Sequence, residues 1–323
     1  MRRFFWMAIT ILALAFLTSE QSRAQEPPSW AHFEWVGVTV GGKTLSKAAI
    51  VLPVKLRGIT GDYWMQLDTG ADSTIIYGVP YKQILREQNL AGELVVKAPS
   101  ESHPILHMNG SIGSFSIRDM PVLFDEDFGD LITPKDLHPL IGTIGLDLLR
   151  KRSLLIDFPK QQFALLDEGE EVPRRIEGRA KFFPATVRNG KLFIPVFYGG
   201  KALSDIFYDT GASLFPMTTT RAIWRRMTGR TGDESNNERL TISSWGKQVV
   251  MVGAKTEKPL QVGPIRLGKI MVYFPPTESE TLNFEKWSFK VSGSIGNAPF
   301  YDRYLIILDL ARSRMGILRA GRL

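Results

Sequence analysis

The chain of 323 residues contains no cysteine. That absence excludes a disulfide framework, a thiolate metal site, a cysteine nucleophile and a lipidated N-terminal cysteine. It does not exclude export, because packing alone can hold a fold together. Histidine is scarce as well, at four residues. His103 and His107 have ligand-like spacing but fall in a hairpin pattern, so no metal and no cofactor is expected. Long apolar runs are also missing. The longest, the 14 residues Phe4–Leu17, falls short of the roughly 20 that span a bilayer.

What stands at the N-terminus instead has the layout of a secretory leader. Arg2-Arg3 precede the apolar run, and Ser22-Arg23-Ala24 places small residues where a signal peptidase reads them. The expected leader is 1–24, removed on export to a periplasmic or secreted location; an uncleaved N-terminal anchor is the alternative. No membrane span is expected after its removal. The formal charge is +7, of which Arg2, Arg3 and Arg23 against Glu20 contribute +2, leaving +5. The remaining basic residues are scattered pairs rather than an aromatic-interleaved stripe, which argues against nucleic acid as a partner.

Gly37-Val38-Thr39-Val40-Gly41-Gly42-Lys43-Thr44 satisfies the phosphate-loop pattern letter for letter. That motif requires a helix after it, so that backbone N–H groups and the helix dipole meet the phosphates. Here β-branched residues fill the loop and another strand pattern follows, so the stretch reads as a hairpin turn. Most of the chain has the same texture: short β-rich runs punctuated by Gly-Gly, Arg-Gly and Asn-Gly. A helix is expected over Pro80–Leu90. Asp167–Arg179 is charged, contains Pro173 and lacks an apolar period, as a linker does.

The strongest feature is a repeat. Leu67-Asp68-Thr69-Gly70-Ala71 returns 141 residues later as Tyr208-Asp209-Thr210-Gly211-Ala212. Around it, Leu52-Pro53-Val54 answers to Ile194-Pro195-Val196, and Ile112-Gly113 through Phe124 to Val262-Gly263 through Phe274. Gly142-Thr143-Ile144-Gly145 pairs with Gly293-Ser294-Ile295-Gly296, and Leu155-Ile156-Asp157-Phe158 with Ile307-Leu308-Asp309-Leu310. Blocks in one order with a slowly drifting offset imply two similar β lobes about a pseudo-twofold axis, 25–173 and 174–323. Asp157 and Asp309, inside β patterns and without Thr-Gly, read as structural.

An acid placed after an apolar strand and before Thr-Gly sits at a strand end. There Gly permits a close backbone approach and Thr offers a hydroxyl. Two such acids brought together by a pseudo-twofold axis cannot both ionise cheaply, so the pair holds one proton. One member can then activate a water while the other protonates or polarises a carbonyl.

Both copies carry Asp-Thr-Gly followed by an apolar-apolar-Gly element, over about residues 33–320. In this the chain resembles the pepsin-like and retropepsin-like aspartic proteases, as a single chain of bacterial exported type. The Leu67–Ile76 loop is similar to the retroviral version, including Ala71 and Asp72. The resemblance implies an all-β, bilobal pepsin-like fold of two β-barrel lobes with a few short helices. It implies an aspartic endopeptidase in which Asp68 and Asp209 activate a water in the cleft between lobes. Thr69 and Thr210 would cross-link the loops, with Ile144-Gly145 and Ile295-Gly296 crossing behind them. Gly70, Asp72, Gly211 and Ser213 would meet a peptide or protein substrate. Since one chain carries both halves, a monomer suffices.

The rival reading is a catalytically silent peptide-binding protein of the same fold. One departure bears on pH: where pepsin-like enzymes carry Ser or Thr after the Gly, this chain has Ala71 and Ala212. Loss of those hydroxyl donors leads us to expect a mildly acidic to near-neutral optimum.

Overall fold

The computed structural model describes residues 27–90, 104–276 and 284–321. The expected leader at 1–24 and His103 lie outside them. Within the described residues the chain is all-β and bilobal, with a few short helices, as the repeat implies.

The first lobe grows from a long hairpin, Glu34–Val40 against Lys43–Leu56. Its turn is Gly41-Gly42, at φ 56° and 78°, the left-handed pair that matches the twist of a two-residue hairpin. The residues that mimic a phosphate loop are therefore strand residues, with Val38 opposite Leu45 and Val40 opposite Lys43. Next comes strand Tyr63–Leu67, whose Tyr63, Met65 and Leu67 point into the core in strict alternation. The expected helix runs from Gly78 to Glu87, earlier than its apolar pattern suggested. Asn89, at φ 57°, turns the chain out of it, leaving Leu90 beyond its end.

The pseudo-twofold symmetry shows in strand pairing rather than in sequence identity. Tyr63–Leu67 runs parallel to Leu140–Ile144, and in the second lobe Ile206–Tyr208 runs parallel to Gly293–Ile295. Ile75–Tyr77 lies parallel to Phe115–Asp125, as Thr218–Thr219 does to Met271–Phe274. In each lobe a helix follows the loop, Gly78–Glu87 in one and Arg221–Thr228 in the other.

A six-stranded antiparallel sheet joins the lobes, three strands from each half. At its centre Ser153–Asp157 pairs with Tyr304–Asp309, and Ile156 faces Ile306 across the symmetry axis. The chain passes from one half of this sheet to the other between Leu166 and Lys181, through the short helix Arg174–Glu177. Leu155, Leu166, Leu305 and Ile307 fill one face of it. Asp157 and Asp309 are both buried here. Asp309 accepts hydrogen bonds from Ser153 Oγ at 3.0 Å and Arg314 Nε at 2.6 Å, a partnered position away from the Asp-Thr-Gly loops.

Candidate active site

Each Asp-Thr-Gly loop leaves the end of a central strand and is held from behind by the apolar-apolar-Gly element of its own lobe. Asp68 N–H donates to Ile144 O at 3.0 Å and Asp209 N–H to Ile295 O at 2.9 Å. Gly145 and Gly296 are needed for this approach. A β-carbon on Gly145 would lie 2.8 Å from Thr74 N, and one on Gly296 would lie 3.0 Å from Ala212 C, with nearer backbone carbonyls in both cases. Polar residues just beyond these glycines, which the sequence reading passed over, complete the support. Asp147 accepts from Thr74 N and Oγ1 at 2.9 and 2.7 Å, and Asn297 Nδ2 donates to Thr210 O at 3.1 Å. A polar residue shortly after Gly145 and after Gly296 was a readable signal for both.

The two loops are then locked to each other. Thr69 N–H donates to Thr210 Oγ1 at 2.9 Å, and Thr210 N–H to Thr69 Oγ1 at 3.0 Å. Each hydroxyl in turn donates to a backbone carbonyl of the opposite lobe, Thr69 to Tyr208 and Thr210 to Leu67, both at 3.0 Å. All four bonds are buried, so the register between lobes is fixed by groups that have no water to fall back on.

This lock brings the carboxyls into contact. Asp68 Oδ1 accepts from Gly70 N at 2.8 Å and Ala71 N at 3.2 Å; Asp209 Oδ1 accepts from Gly211 N at 3.0 Å and Ala212 N at 3.2 Å. The two carboxyls are close enough for each to act on the other's protonation. Removal from water pushes the Asp68 carboxyl above the ordinary range. The Gly70 N–H, the neighbouring Asp209 carboxyl, the Lys191 ammonium and the Ala71 N–H pull it back. Removal from water raises Asp209 further, and the neighbouring Asp68 charge adds to the rise. A pair that shares one proton results.

The pair lies at the floor of a cleft of about 800 Å³. Its second-lobe wall is aromatic, with Phe207, Phe215, Phe284 and Trp287. On the first-lobe side the irregular loop after Asp125 contributes Asp127, Phe128, Asp130 and Asp136. The cleft is roofed from the second lobe. The hairpin of Glu238–Ser244 and Lys247–Lys255 turns at Trp245-Gly246, φ 49° and 74°. The Trp245 ring there reaches to 5.8 Å from the ring of Phe128 across the gap. Tyr77, whose hydroxyl bonds Thr143 and which burial pushes up to about 12, also faces the cleft.

The remaining expected residues fall in varied places. Gly70 and Gly211 line the cleft floor, but Gly70 is already engaged at both ends. Its N–H is on Asp68 and its carbonyl accepts from Lys191 Nζ at 2.5 Å. Ser213 is fully buried; its hydroxyl donates to Thr210 O and accepts from Asn297, both at 2.7 Å. Its carbonyl in turn accepts from the Tyr301 hydroxyl, so Ser213 lines the cleft with its polar groups already engaged. Asp72 is exposed and sits against the turn at Gly190 rather than among the lining residues. His107 lies on an outer strand, 2.9 Å from Asp119. No helix of the described residues is long and apolar enough to cross a membrane.

No family model and no curated protein matches the sequence. Solved structures similar to this chain include an aspartic proteinase from Irpex lacteus, 13% identical with a TM-score of 0.47, covering 85% of this chain and 95% of that one. Basic 7S globulin from soybean is 10% identical with a TM-score of 0.45, and conglutin gamma, a basic 7S globulin from lupine seeds, is 10% identical with a TM-score of 0.47. For each of these two the similarity covers 90% of this chain and 95% of the other.

Proposed function

We propose that the chain is an aspartic endopeptidase whose catalytic pair is Asp68 and Asp209. The observation that carries this reading is the reciprocal threonine lock, which holds the two carboxyls together at the floor of a cleft of about 800 Å³. A buried structural acid would be expected to find a cation or a full set of donors, as Asp309 does with Arg314. Asp68 and Asp209 instead find each other; burial raises both, the Asp68 charge adds to the rise of Asp209, and one proton stays between them.

The chemistry follows from that single proton. The ionised carboxylate takes a proton from a water while the water oxygen bonds to the scissile carbonyl carbon. Its protonated partner passes a proton to the carbonyl oxygen. As the resulting diol collapses, the C–N bond breaks, the amide nitrogen takes a proton from the first carboxyl, and the second regains one from the diol. The pair ends as it began. Two lobes on one chain, 25–173 and 174–323, make a monomer sufficient. A leader at 1–24 places the enzyme in the periplasm or outside the cell.

Cleavage of a peptide library by wild type, Asp68→Asn and Asp209→Asn tests the reading. Wild type cleaves and each variant loses activity by a factor of at least 1,000, on the order of what removal of a catalytic group costs. Peptide binding without cleavage by the wild type would assign the protein to the silent, peptide-binding class.

A further inference from the structure

Asp68 and Asp209 accept from equivalent backbone N–H groups, yet a lysine stands on the Asp68 side of the pair. Lys191 opens the second-lobe strand Lys191–Phe193 and reaches back across the interface to the Gly70 carbonyl, 2.5 Å away. Its ammonium also lies 5.5 Å from the centre of the Trp287 ring, which flanks it on the cleft side. The turn before it, Asn189-Gly190 at φ 47° and 67°, rests on Asp72. A β-carbon at Gly190 would collide with that side chain, so the strand is anchored where it starts.

The Gly70 carbonyl belongs to the same peptide unit as the Ala71 N–H, and that N–H is shared between the Asp68 carbonyl at 3.1 Å and Asp68 Oδ1 at 3.2 Å. Lys191, the Gly70–Ala71 peptide and Asp68 therefore form a hydrogen-bonded chain from a full positive charge to one carboxyl. Such chains polarise along their length. The described hydrogen bonds include no lysine on the corresponding Gly211 carbonyl. Resting on the peptidase reading above, we propose that Lys191 is a positioning residue that breaks the symmetry of the pair, making Asp68 the ionised member that takes the proton from water and Asp209 the protonated member. It supplies from the opposite lobe the stabilisation that a hydroxyl at position 71 would otherwise give.

The other groups around the pair do not perform this task. Tyr77 is held on Thr143, and Tyr208 bonds Asn297 behind Asp209. His138 and the acids Asp127, Asp130 and Asp136 line the outer cleft, and Asp72 is turned to solvent. Lys191 is the cation whose charge acts on both carboxyls, and the peptide link directs it to Asp68.

The test is carboxyl 13C NMR of the full chain labelled at aspartate Cγ, with Asp68→Asn and Asp209→Asn used for assignment. Because the pair titrates in two joint steps, the member that ionises first is read from the amplitude at each residue. In the wild type Asp68 carries most of the lower step. In Lys191→Met that step rises by about one pH unit, the low end of what an opposite charge at close range produces. Lys191→Arg keeps the wild-type titration. Lys191→Gln, which can still donate to Gly70 but has no charge, follows the methionine variant. An unmoved lower step in Lys191→Met, a wild-type titration led by Asp209, or rescue by glutamine overturns the assignment. Cleavage assays on the same samples separate the two claims. A wild type that never cleaves refutes the peptidase reading and leaves the titration result standing, whereas cleavage with an unmoved titration refutes the role of Lys191 alone.

Discussion

Thr210→Val is the sharpest single test of how the two lobes are held. The substitution keeps size and β-branching and removes one hydroxyl, at a site with no exposure to solvent. That hydroxyl serves two backbone groups at once: it accepts from Thr69 N–H and donates to the Leu67 carbonyl. Both partners are themselves buried, so no water takes its place. An orphaned buried backbone group costs about 1–3 kcal/mol, which gives about 2–6 kcal/mol for the pair. Thr210→Ser retains the oxygen and loses only a methyl, about 1 kcal/mol. Urea unfolding monitored by tryptophan fluorescence measures both. By the pseudo-twofold symmetry, Thr69→Val falls in the same range, because its hydroxyl serves Thr210 N–H and the Tyr208 carbonyl. A Thr210→Val protein within 0.5 kcal/mol of wild type, or a serine variant as damaged as the valine one, would refute the view that these hydroxyls carry the lock.

Two further outcomes follow from the carboxyl pair. Both acids are raised in the folded protein, so the native state binds more protons than the unfolded chain above the ordinary carboxylate range near pH 4. The stability tied to them is present in full below that range and is lost as the pH climbs through the raised values. Asp209→Asn removes the more strongly raised member; its stability relative to wild type should improve between pH 4 and pH 8, and a parallel pH dependence in the two proteins would contradict this. The same direction places the activity optimum at mildly acidic to neutral pH, so peak cleavage in strong acid would count against the shared proton. Separately, Gly211→Ala sets a β-carbon 2.6 Å from Asp68 Oδ2, and Gly70→Ala sets one 2.6 Å from Asp209 Oδ1. Either variant should fold while losing about 100-fold in kcat/KM, the scale of a misplaced reacting group; retention of full activity would show that the carboxyls sit elsewhere.

Much of this architecture was legible because the repeat is written twice. Strand partners such as Leu67 with Ile144 and Tyr208 with Ile295 follow from two blocks that recur in the same order. The lock follows from a threonine that comes after each acid. What was not legible depends on single residues with no counterpart in the other half. Lys191 follows Asn189-Gly190, which announces only a turn, and its contact with Gly70 spans 121 residues of chain. Ser213 stands after the second Ala where Asp72 stands after the first, and both were expected beside a substrate in an asymmetric cleft. Yet Asn297 draws the serine hydroxyl inward, while Asp72 packs against the Asn189-Gly190 turn and stays exposed. Trp245 gave no pattern of its own, because a hairpin tip is recognised by what it touches.

The division between what repeats and what does not is also a division of labour within the cleft. At the floor, Gly145 and Gly296 press against backbone atoms of the loops they support, and the threonine hydroxyls bond only to backbone groups. No rotamer can adjust such contacts, so the placing of the two carboxyls leaves little room for variation and is encoded in both halves alike. The walls obey no such constraint. One is an irregular loop bearing Asp127, Phe128 and Asp130, the other a hairpin bearing Ile242 and Trp245. A substrate side chain would therefore meet unlike surfaces on either side of a symmetric floor. Selectivity would be set by the walls, as the positioning of the carboxyls is set by the floor. Exchanging Phe128 or Trp245 should alter which peptides are cleaved while leaving the titration of the pair in place, because the contacts that hold Asp68 and Asp209 run through neither residue.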